Sequence, residues 1–289
     1  MSDNDFMKHS TGDLANFPPE VDMNTPTVAR IYDAMLGGKD NFEVDRQAMA
    51  AIEEANPGTV DLAQANRAYL TRGVDCVAKA GVRQFLDLGS GLPTADNTHQ
   101  IARRTHPDAS VVYVDNDPIV LAHGRAILAE TPRTSVATAD LTDVEGVLAA
   151  EDTQRLIDFS QPVCLMLVSL LHCIPDEQDP FGVVRAYFDR FAPGSCLVYS
   201  HIVSDDETAA RDFTDRIHSF GTSWGRVRSP EEAAKVFDQL ELVSPSSDGT
   251  FDPVPVECST WRNDGRTPEP RPADPEVLIW EHAGIAFKH

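Results

Sequence analysis

The chain has 289 residues, of which 42% are hydrophobic, which is enough for a substantial core and too many for a disordered protein. Its formal net charge is −22 and its arginines are dispersed, so we do not expect nucleic acid as its main partner. No apolar run approaches the roughly 20 residues that cross a bilayer, and the polar N-terminus lacks a secretion core. These features predict a cytoplasmic protein without membrane contact.

The N-terminal part of the chain predicts a flexible leader, residues 1–21, followed by a helical cap, residues 22–80. Thr25-Pro26 is typical of an N-cap and a first helical residue, and Gly37-Gly38 of a helix end. Between them, four apolar residues follow at helical spacing: Val28, Ile31, Tyr32 and Met35. Phe42–Glu54 and Val60–Lys79 are predicted as two further helices.

Residues 81–289 alternate between strand and helix patterns, which predicts a right-handed, doubly wound parallel sheet that forms one compact unit with the cap. The predicted strands are Gln84–Leu88, Ser110–Val114, Ser135–Ala139, Val163–Leu171, Ser195–Ile202 and Val277–Phe287, with a hairpin turn considered at Ala283-Gly284. The predicted helices are Asp96–Thr105, Pro118–Glu130, Asp143–Ala150, Pro180–Phe191, Glu207–His218 and Pro230–Leu240. Ser244–Pro275 is rich in Pro, Ser and Asp and is predicted to be a long loop.

The first predicted strand ends in the segment Asp87-Leu88-Gly89-Ser90-Gly91. Gly89 and Gly91 allow a sharp turn and a close approach of the backbone to a ligand. The last glycine of a G-x-G-x-x-G signature is missing, since Thr94 occupies its place, and this disfavours a pyrophosphate site for NAD. A plain glycine turn is the alternative.

Two further strand ends carry aspartates, Asp115 and Asp140. Asp117 is placed to cap the next helix, which leaves Asp115 to accept ribose hydroxyls, unless Asp115 is itself the cap. Thr142 and Glu145 have capping-box spacing, which leaves Asp140 to accept an adenine amino group. Ligands of open α/β sheets bind at the carboxyl ends of the strands, so three such ends in order predict an adenosine ligand.

These motifs (DLGSG, VDNDP and ADL) resemble the cofactor motifs of class I S-adenosylmethionine-dependent methyltransferases. Thr25–Phe42 (TPTVARIYDAMLGGKDNF) and the following LDLGSGLPTADNTH are similar to a bacterial family of S-adenosyl methyltransferases long catalogued as a domain of unknown function. The resemblance implies S-adenosylmethionine as the cofactor and a Rossmann-like, seven-stranded, mostly parallel sheet with an antiparallel last strand. Leu92-Pro93-Thr94 departs from the wider superfamily, so the contact to the methionine end of the cofactor is not defined.

The same resemblance implies a cofactor pocket roofed by the N-terminal helices. Candidate roof contacts are Tyr32, Gly37, Gly38, Asn41 and Arg67. Candidate floor contacts are Asp87, Gly89, Ser90, Gly91, Asn97, Asp115, Asn116, Asp140 and Leu141. We hypothesise that Asn24–Phe42 closes over bound cofactor, because its polar, glycine-containing end is unfavourable for a merely structural helix. A simple helix–helix turn is the alternative.

A base is useful in methyl transfer only when the acceptor carries a proton. His172, just beyond the most apolar strand, is the candidate catalytic residue, and the alternative is a histidine that hydrogen-bonds locally and shapes the pocket. His201 is a weaker candidate, Tyr32 could face the sulfonium, and Arg262 and Arg266 could line an acceptor entrance. No metal site is expected, because no histidines have ligand spacing and the five cysteines are scattered. P-loop and hydrolase motifs are also missing.

The sequence therefore predicts a methyltransferase that acts on a small-molecule acceptor. A non-catalytic S-adenosylmethionine-binding regulatory or partner protein is the alternative, and the incomplete glycine signature disfavours a dinucleotide oxidoreductase.

Overall fold

The computed structural model describes residues 22–93, 96–128, 131–222 and 224–289. The predicted leader, residues 1–21, and Thr94 lie outside them. Within the described residues, the first three helices are α1 (Val28–Met35), α2 (Glu43–Ala55) and α3 (Thr59–Lys79). Thr27, not Thr25, caps α1 and accepts a hydrogen bond from the Arg30 amide at 3.4 Å. The helix therefore begins at Val28 and not, as the sequence predicted, at Pro26. The Thr25 carbonyl accepts a hydrogen bond from the Arg30 guanidinium.

In the part of the chain that the structure describes, eight strands form one mixed sheet in the order β3-β2-β1-β4-β5-β8-β6, with β7 paired to β8. Their bounds are β1 Gln84–Leu88, β2 Ser110–Asp115, β3 Thr134–Thr138, β4 Cys164–Val168, β5 Cys196–Val203, β6 Glu241–Leu242, β7 Val256–Glu257 and β8 Trp280–Phe287. Strands β1–β5 are parallel, and β8 runs antiparallel between β5 and β6. This confirms the predicted mostly parallel sheet with an antiparallel last strand, to which the structure adds a short eighth strand. The strand order reverses between β1 and β4.

Seven helices of the described chain follow β1: α4 Thr98–Thr105, α5 Pro118–Leu128, α6 Val144–Ala149, α7 Glu151–Leu156, α8 Pro180–Arg190, α9 Glu207–His218 and α10 Pro230–Ala234. Further sequence predictions were wrong. The strand predicted for Val163–Leu171 ends at Val168, and a 3-10 helix covers Leu171–Cys173. The helix predicted for Pro230–Leu240 stops at Ala234. The Ala283-Gly284 hairpin does not form, because β8 pairs with β5 along its whole length.

The sheet is covered on both faces, which explains its nearly continuous apolar strands. One face packs Phe85, Met166 and Val198 against α3, and the other packs Leu86, Leu165 and Leu197 against α8. A Cβ on Gly73 of α3 would lie 2.9 Å from a Val198 methyl, so glycine allows this helix to approach the sheet closely. The division into a cap, residues 22–80, and a sheet domain, residues 81–289, stays a prediction. Helix α3 of the cap packs directly on the sheet.

The predicted loop 244–275 carries a buried segment. Trp261 and Cys258 are fully buried, and the Arg72 guanidinium of α3 donates to the carbonyl oxygens of both at 2.7 Å. Pro and Ser content predicts irregular backbone but does not predict this anchoring, which depends on an arginine 186 residues away. Across the described residues, no helix is both long and apolar enough to cross a membrane.

Candidate functional site

A cavity of about 670 Å³ lies at the carboxyl ends of β1, β2, β3 and β4. Its position is that expected for ligands of a doubly wound sheet, beside the reversal of strand order. Its size falls within the roughly 300–1,000 Å³ of small-molecule pockets. On the side opposite the strand ends it is bounded by α1, α3 and α9.

The first strand end combines a buried carboxyl group with an open backbone turn. Asp87 accepts a hydrogen bond from the Thr98 hydroxyl at 2.7 Å, and burial raises the pKa of its carboxyl to about 6. Gly89 and Gly91 have φ values of +58° and +63°, in the left-handed region that favours glycine. A Cβ on Gly89 would collide with Leu170, whereas a Cβ on Gly91 would meet no atom within 4 Å. Gly91 therefore leaves room above the turn.

Asp115 ties the second strand end to the first. Its two carboxylate oxygens accept hydrogen bonds from the Gly91 and Asp117 amides, both at 2.9 Å. Asp117 accepts from the Ile119 amide at 3.0 Å, so the helix start has its own side-chain acceptor, as the sequence predicts. Burial raises the pKa of Asp115, although these amides oppose the shift. Each oxygen keeps a further lone pair, so the carboxylate can still accept hydrogen bonds from a ligand.

Asp140 marks the third strand end and is exposed. The predicted Thr142 cap was wrong: the Thr142 amide and hydroxyl both donate to Asp140 Oδ1, at 2.8 and 2.7 Å. Asp143 caps α6 instead and accepts from the Gly146 amide at 3.0 Å. Within the described chain, Asp140 Oδ2 has no hydrogen-bond partner, so one oxygen can serve a ligand.

The cavity collects most of the predicted site residues. It is lined by Tyr32, Arg67, Asp87, Gly89, Ser90, Gly91, Asp115, Asn116, Asp140, Leu141 and His172. Gly37, Gly38, Asn41 and Asn97 are not part of its lining. Their roles as cofactor contacts are not supported by this geometry.

The Gly37–Asn41 turn surrounds a buried carboxylate instead of facing the cavity. Asp33 is 3% exposed and accepts hydrogen bonds from the Asn41 side-chain amide at 2.8 Å and the Asp40 backbone amide at 3.0 Å. A Cβ on Gly38 would collide with the Asp33 carboxylate. The polar, glycine-rich end of α1 is therefore explained by Asp33. Asn97 has a local role as well, since it is the N-cap of α4 and its backbone amide donates to Gln100 Oε1 at 2.8 Å.

The half of the cavity away from the strand ends is apolar. Its walls include Met35, Leu36, Ile52, Leu62, Ile202, Phe213, Ile217 and Trp224. Sequence reasoning missed the contribution of α9 and Trp224, because α9 has the pattern of an ordinary surface helix. Phe213 and Ile217, four residues apart on an otherwise polar helix, were the available signal.

His172 is 1% exposed and lies in the 3-10 helix that follows β4. Its Nδ1 accepts a hydrogen bond from the Ile202 amide at 3.1 Å, and its ring centroid lies 4.6 Å from that of Trp224. Burial, with a further contribution from Arg228, lowers the pKa of the imidazole to about 3. Because Nδ1 is an acceptor, the neutral ring carries its proton on Nε2 and has no lone pair left to take another. The geometry favours the alternative of a pocket-shaping histidine over a base.

The weaker catalytic candidates lie elsewhere. His201 is fully buried on β5 outside the cavity lining, and burial holds the pKa of its imidazole well below the usual range. Neither Arg262 nor Arg266 lines the cavity: Arg262 donates to the Ser244 carbonyl at 3.0 Å, and Arg266 to the Ser259 hydroxyl at 3.1 Å. Tyr32 does line it, and its hydroxyl donates to the Ala63 carbonyl at 3.2 Å.

A second polar network, beside the apolar half, was missed by sequence reasoning. Glu281 of β8 is fully buried and accepts a hydrogen bond from the Ser169 hydroxyl. Burial raises the pKa of Glu281 to about 7, against the lowering effect of the Ser169 hydrogen bond. The Ser200 hydroxyl donates to the Asn66 side chain at 2.6 Å, and Asn66 donates to the Tyr32 hydroxyl at 2.9 Å. A glutamate within a predicted terminal strand gives no signal of burial, so the sequence could not identify this group.

Comparison with known proteins agrees with the fold and the strand-end motifs. A family model described as S-adenosyl methyltransferase matches residues 15–289. A crystal structure of a candidate methyltransferase from Thermobifida fusca is 44% identical, with 94% of this chain and 98% of that chain covered and a TM-score of 0.84. A DUF574 family protein from Streptomyces avermitilis is 33% identical, with coverage of 93% and 99% and a TM-score of 0.81.

A more distant relative is the carboxy-S-adenosyl-L-methionine synthase of Geobacter metallireducens, which is 23% identical over 193 residues, 65% of this chain and 72% of that protein. The family match covers nearly the whole chain and includes every strand end described above. The chain therefore belongs to the S-adenosyl methyltransferase family, and its cofactor is S-adenosylmethionine.

Proposed function

We propose that the chain transfers the methyl group of S-adenosylmethionine to a small, uncharged, largely apolar acceptor. The observation that carries this proposal is a single continuous cavity with two chemically different halves. Backbone turns and carboxylates of the strand ends form one half, and apolar side chains of α1, α2 and α9 form the other. A protein that only bound the cofactor would not need the second half.

The strand-end half fits the cofactor. Asp115 is the proposed hydrogen-bond partner of the ribose hydroxyls, and Asp140 and Leu141 are the proposed contacts of the adenine ring. The open turn at Gly89–Gly91 is the proposed place for the methionine part of the cofactor. The lining includes Asp87, Asp115 and Asp140, and their carboxyl groups suit a ligand with a positively charged sulfonium and ammonium. Bound S-adenosylmethionine supplies a methyl group that is already electrophilic.

The protein's remaining tasks are orientation and exclusion of water. Ile202, Phe213 and Ile217 form apolar walls of the half away from the strand ends, and Trp224 packs over His172. Arg228 holds the loop that carries His172, because its guanidinium donates to the Leu171 and Ile174 carbonyls at 3.0 and 2.9 Å. The buried Arg228 side chain thus fixes the part of the cavity wall that includes His172.

Methyl-labelled S-adenosylmethionine tests this proposal, with a panel of uncharged aromatic and aliphatic compounds that carry hydroxyl, amine or thiol groups. We expect label transfer by the wild-type protein. Ile217→Trp, which fills the apolar half, should bind the cofactor within about threefold of wild type and lose transfer. Arg211→Trp places the same bulk on the exposed side of α9 and should behave as wild type. Cofactor binding without transfer to any compound would favour the non-catalytic alternative.

A further inference from the structure

We propose that the methyl-accepting atom is a hydroxyl oxygen, and that Ser169 relays the hydroxyl proton to Glu281. This inference rests on the proposed function and adds to it the acceptor group and the destination of its proton. Family membership assigns neither.

Ser169 is placed at the boundary between the cavity and the buried network. It is the first residue after β4 and lines the cavity. Its φ is +56°, an unfavourable conformation for a serine, and it is fixed there by its amide, which donates to the Ser200 carbonyl at 3.1 Å and hydroxyl at 2.9 Å. In this conformation the Ser169 hydroxyl donates to Glu281 Oε1. The strained backbone thus links a cavity wall to a buried carboxylate.

Glu281 has the properties of a proton acceptor more than those of a structural carboxylate. It is 0% exposed, and its register partner on β5, Ile202, is itself a cavity wall. Its Oε2 is buried and has no hydrogen-bond partner in the described part of the chain, because the neighbouring Ser200 hydroxyl donates its one proton to Asn66 instead. Buried carboxylates with a purely structural role normally have both oxygens satisfied. The unpartnered oxygen leaves the group ready to be neutralised by a proton.

The surroundings of Glu281 hold the pKa of its carboxyl group near 7. Burial raises the pKa values of the four neighbouring weak acids, so they are uncharged at neutral pH: Tyr32, Cys173, Tyr199 and Cys258. Glu257 is the neighbouring carboxylate, and its charge raises the pKa of Glu281 further. A base with a pKa close to the working pH is the most effective in general base catalysis.

A base at this wall favours a hydroxyl acceptor over an amine. A hydroxyl oxygen becomes strongly nucleophilic only as it loses its proton, and Ser169 with Glu281 supplies a route for that proton. A neutral amine is nucleophilic with its protons in place, so it would not need Glu281.

An acceptor lone pair forms the O–CH3 bond, while the S–CH3 bond breaks and leaves its electron pair on sulfur. The acceptor proton moves to Ser169 Oγ as the Ser169 proton moves to Glu281 Oε1. The sulfonium charge and the carboxylate charge are both lost, and the products are a methyl ether, a neutral thioether and a protonated Glu281.

The test uses 1-naphthol, 1-naphthylamine and 1-naphthalenethiol, which share one flat apolar ring, with labelled S-adenosylmethionine and full-length protein. We expect methylation of 1-naphthol in preference to the other two. The wild-type rate should rise with pH and level off above about 7, because Glu281 must be ionised to take the proton. Glu281→Gln and Ser169→Ala should lower the rate by roughly 100-fold or more and leave the Kd of S-adenosylmethionine within about threefold. Glu241→Gln, an exposed glutamate on the same sheet, is the matched control and should change neither.

Infrared titration of the cofactor-free wild-type protein provides a readout without turnover. A protonated carboxyl band that is missing in Glu281→Gln should disappear with a midpoint near pH 7. Preferred methylation of the amine or thiol would overturn the proposal, as would undiminished transfer by Glu281→Gln or the lack of any such band. Failure to methylate 1-naphthol while the cofactor binds would overturn it too. Failure of the wild type to bind S-adenosylmethionine would instead overturn the proposed function.

Discussion

At the scale of single residues, Asp115 connects two strand ends through one side chain. It receives the Gly91 amide from the glycine turn and the Asp117 amide from its own loop, both at 2.9 Å. The carboxylate thereby fixes the turn after β1 to the end of β2 before any ligand arrives. Such preorganisation reduces the ordering cost of binding. Removal of the Asp115 carboxylate would therefore loosen both loops and also remove its proposed contact to the ribose.

Replacement of Asp115 by asparagine should weaken S-adenosylmethionine binding by about 1.5–3 kcal/mol, roughly 10- to 150-fold, since charged hydrogen bonds are lost. Calorimetric titration measures the change. Asp108→Asn is the control, because Asp108 is an exposed aspartate that pairs with Arg83 at 2.8 Å at the opposite end of the sheet. Equal affinities of the Asp115 variant and wild type would remove Asp115 from the site.

At the scale of elements, the end of α1 shows how a local pattern can be misread. Two glycines followed by Lys39-Asp40 and Asn41 predicted a flexible turn that approaches the ligand. The structure shows the turn folded around Asp33, with Asp40 and Asn41 as donors to its carboxylate. Nothing in the spacing identifies Asp33 as the residue enclosed, because the turn is defined by a side chain on the preceding helix.

Gly38→Ala should lower the free energy of unfolding by roughly 1–3 kcal/mol, because the added Cβ would collide with the Asp33 carboxylate. Gly37→Asn is the matched control: Gly37 has φ +72° with no atom within 4 Å of a Cβ, and asparagine tolerates that conformation. Urea unfolding of both variants gives the comparison. A Gly38→Ala protein as stable as wild type would show that the turn can open without cost.

The α1 segment still gives a dynamic prediction, restricted to the part that lines the cavity, residues 25–36. Its amide hydrogen exchange should slow by at least about threefold when S-adenosylmethionine binds, because a closing wall becomes less able to open. Helix α8, which does not line the cavity, is the internal reference. Equal exchange of residues 25–36 with and without cofactor would make α1 a fixed wall.

The elements also show why prediction succeeded at the strand ends and failed elsewhere. Gln84–Leu88 and Glu207–His218 were predicted to the residue, and Asp87, Asp115 and Asp140 all reach one cavity. Those predictions needed only local pattern and the rule that parallel strands end at one edge. Glu281, Trp224 and the Arg72 anchor of Trp261 depend on contacts between distant segments, which a single sequence does not encode locally.

At the scale of the whole molecule, buried titratable groups of opposite sign limit stability on both sides of neutrality. Burial lowers the pKa of His99 to about 4 and that of His172 to about 3. The unfolded chain takes up protons on these histidines below about pH 6.5, so stability falls as the pH drops from there. Glu281 acts in the opposite direction: with its pKa raised to about 7, it binds a proton more tightly when folded, so stability falls as the pH rises through 7.

The Glu281→Gln protein should therefore gain stability relative to wild type as the pH rises. The gain between pH 5 and pH 8 should be on the order of 2–3 kcal/mol, because glutamine has no carboxyl group that must ionise in the buried site as the pH rises. Urea unfolding at both pH values measures it, with Glu241→Gln as the exposed control. A pH-independent difference would show that Glu281 is ionised in the folded protein throughout this range.

We propose that three consecutive strand ends of this sheet form one adenosine site for S-adenosylmethionine. Calorimetric titration of the wild-type protein with S-adenosylmethionine, its demethylated product S-adenosylhomocysteine and NAD tests it most directly. We predict one site per chain for the first two, with Kd values on the order of micromolar, and no binding of NAD. Binding of NAD with equal or greater affinity, or no binding of either adenosyl compound, would contradict this account.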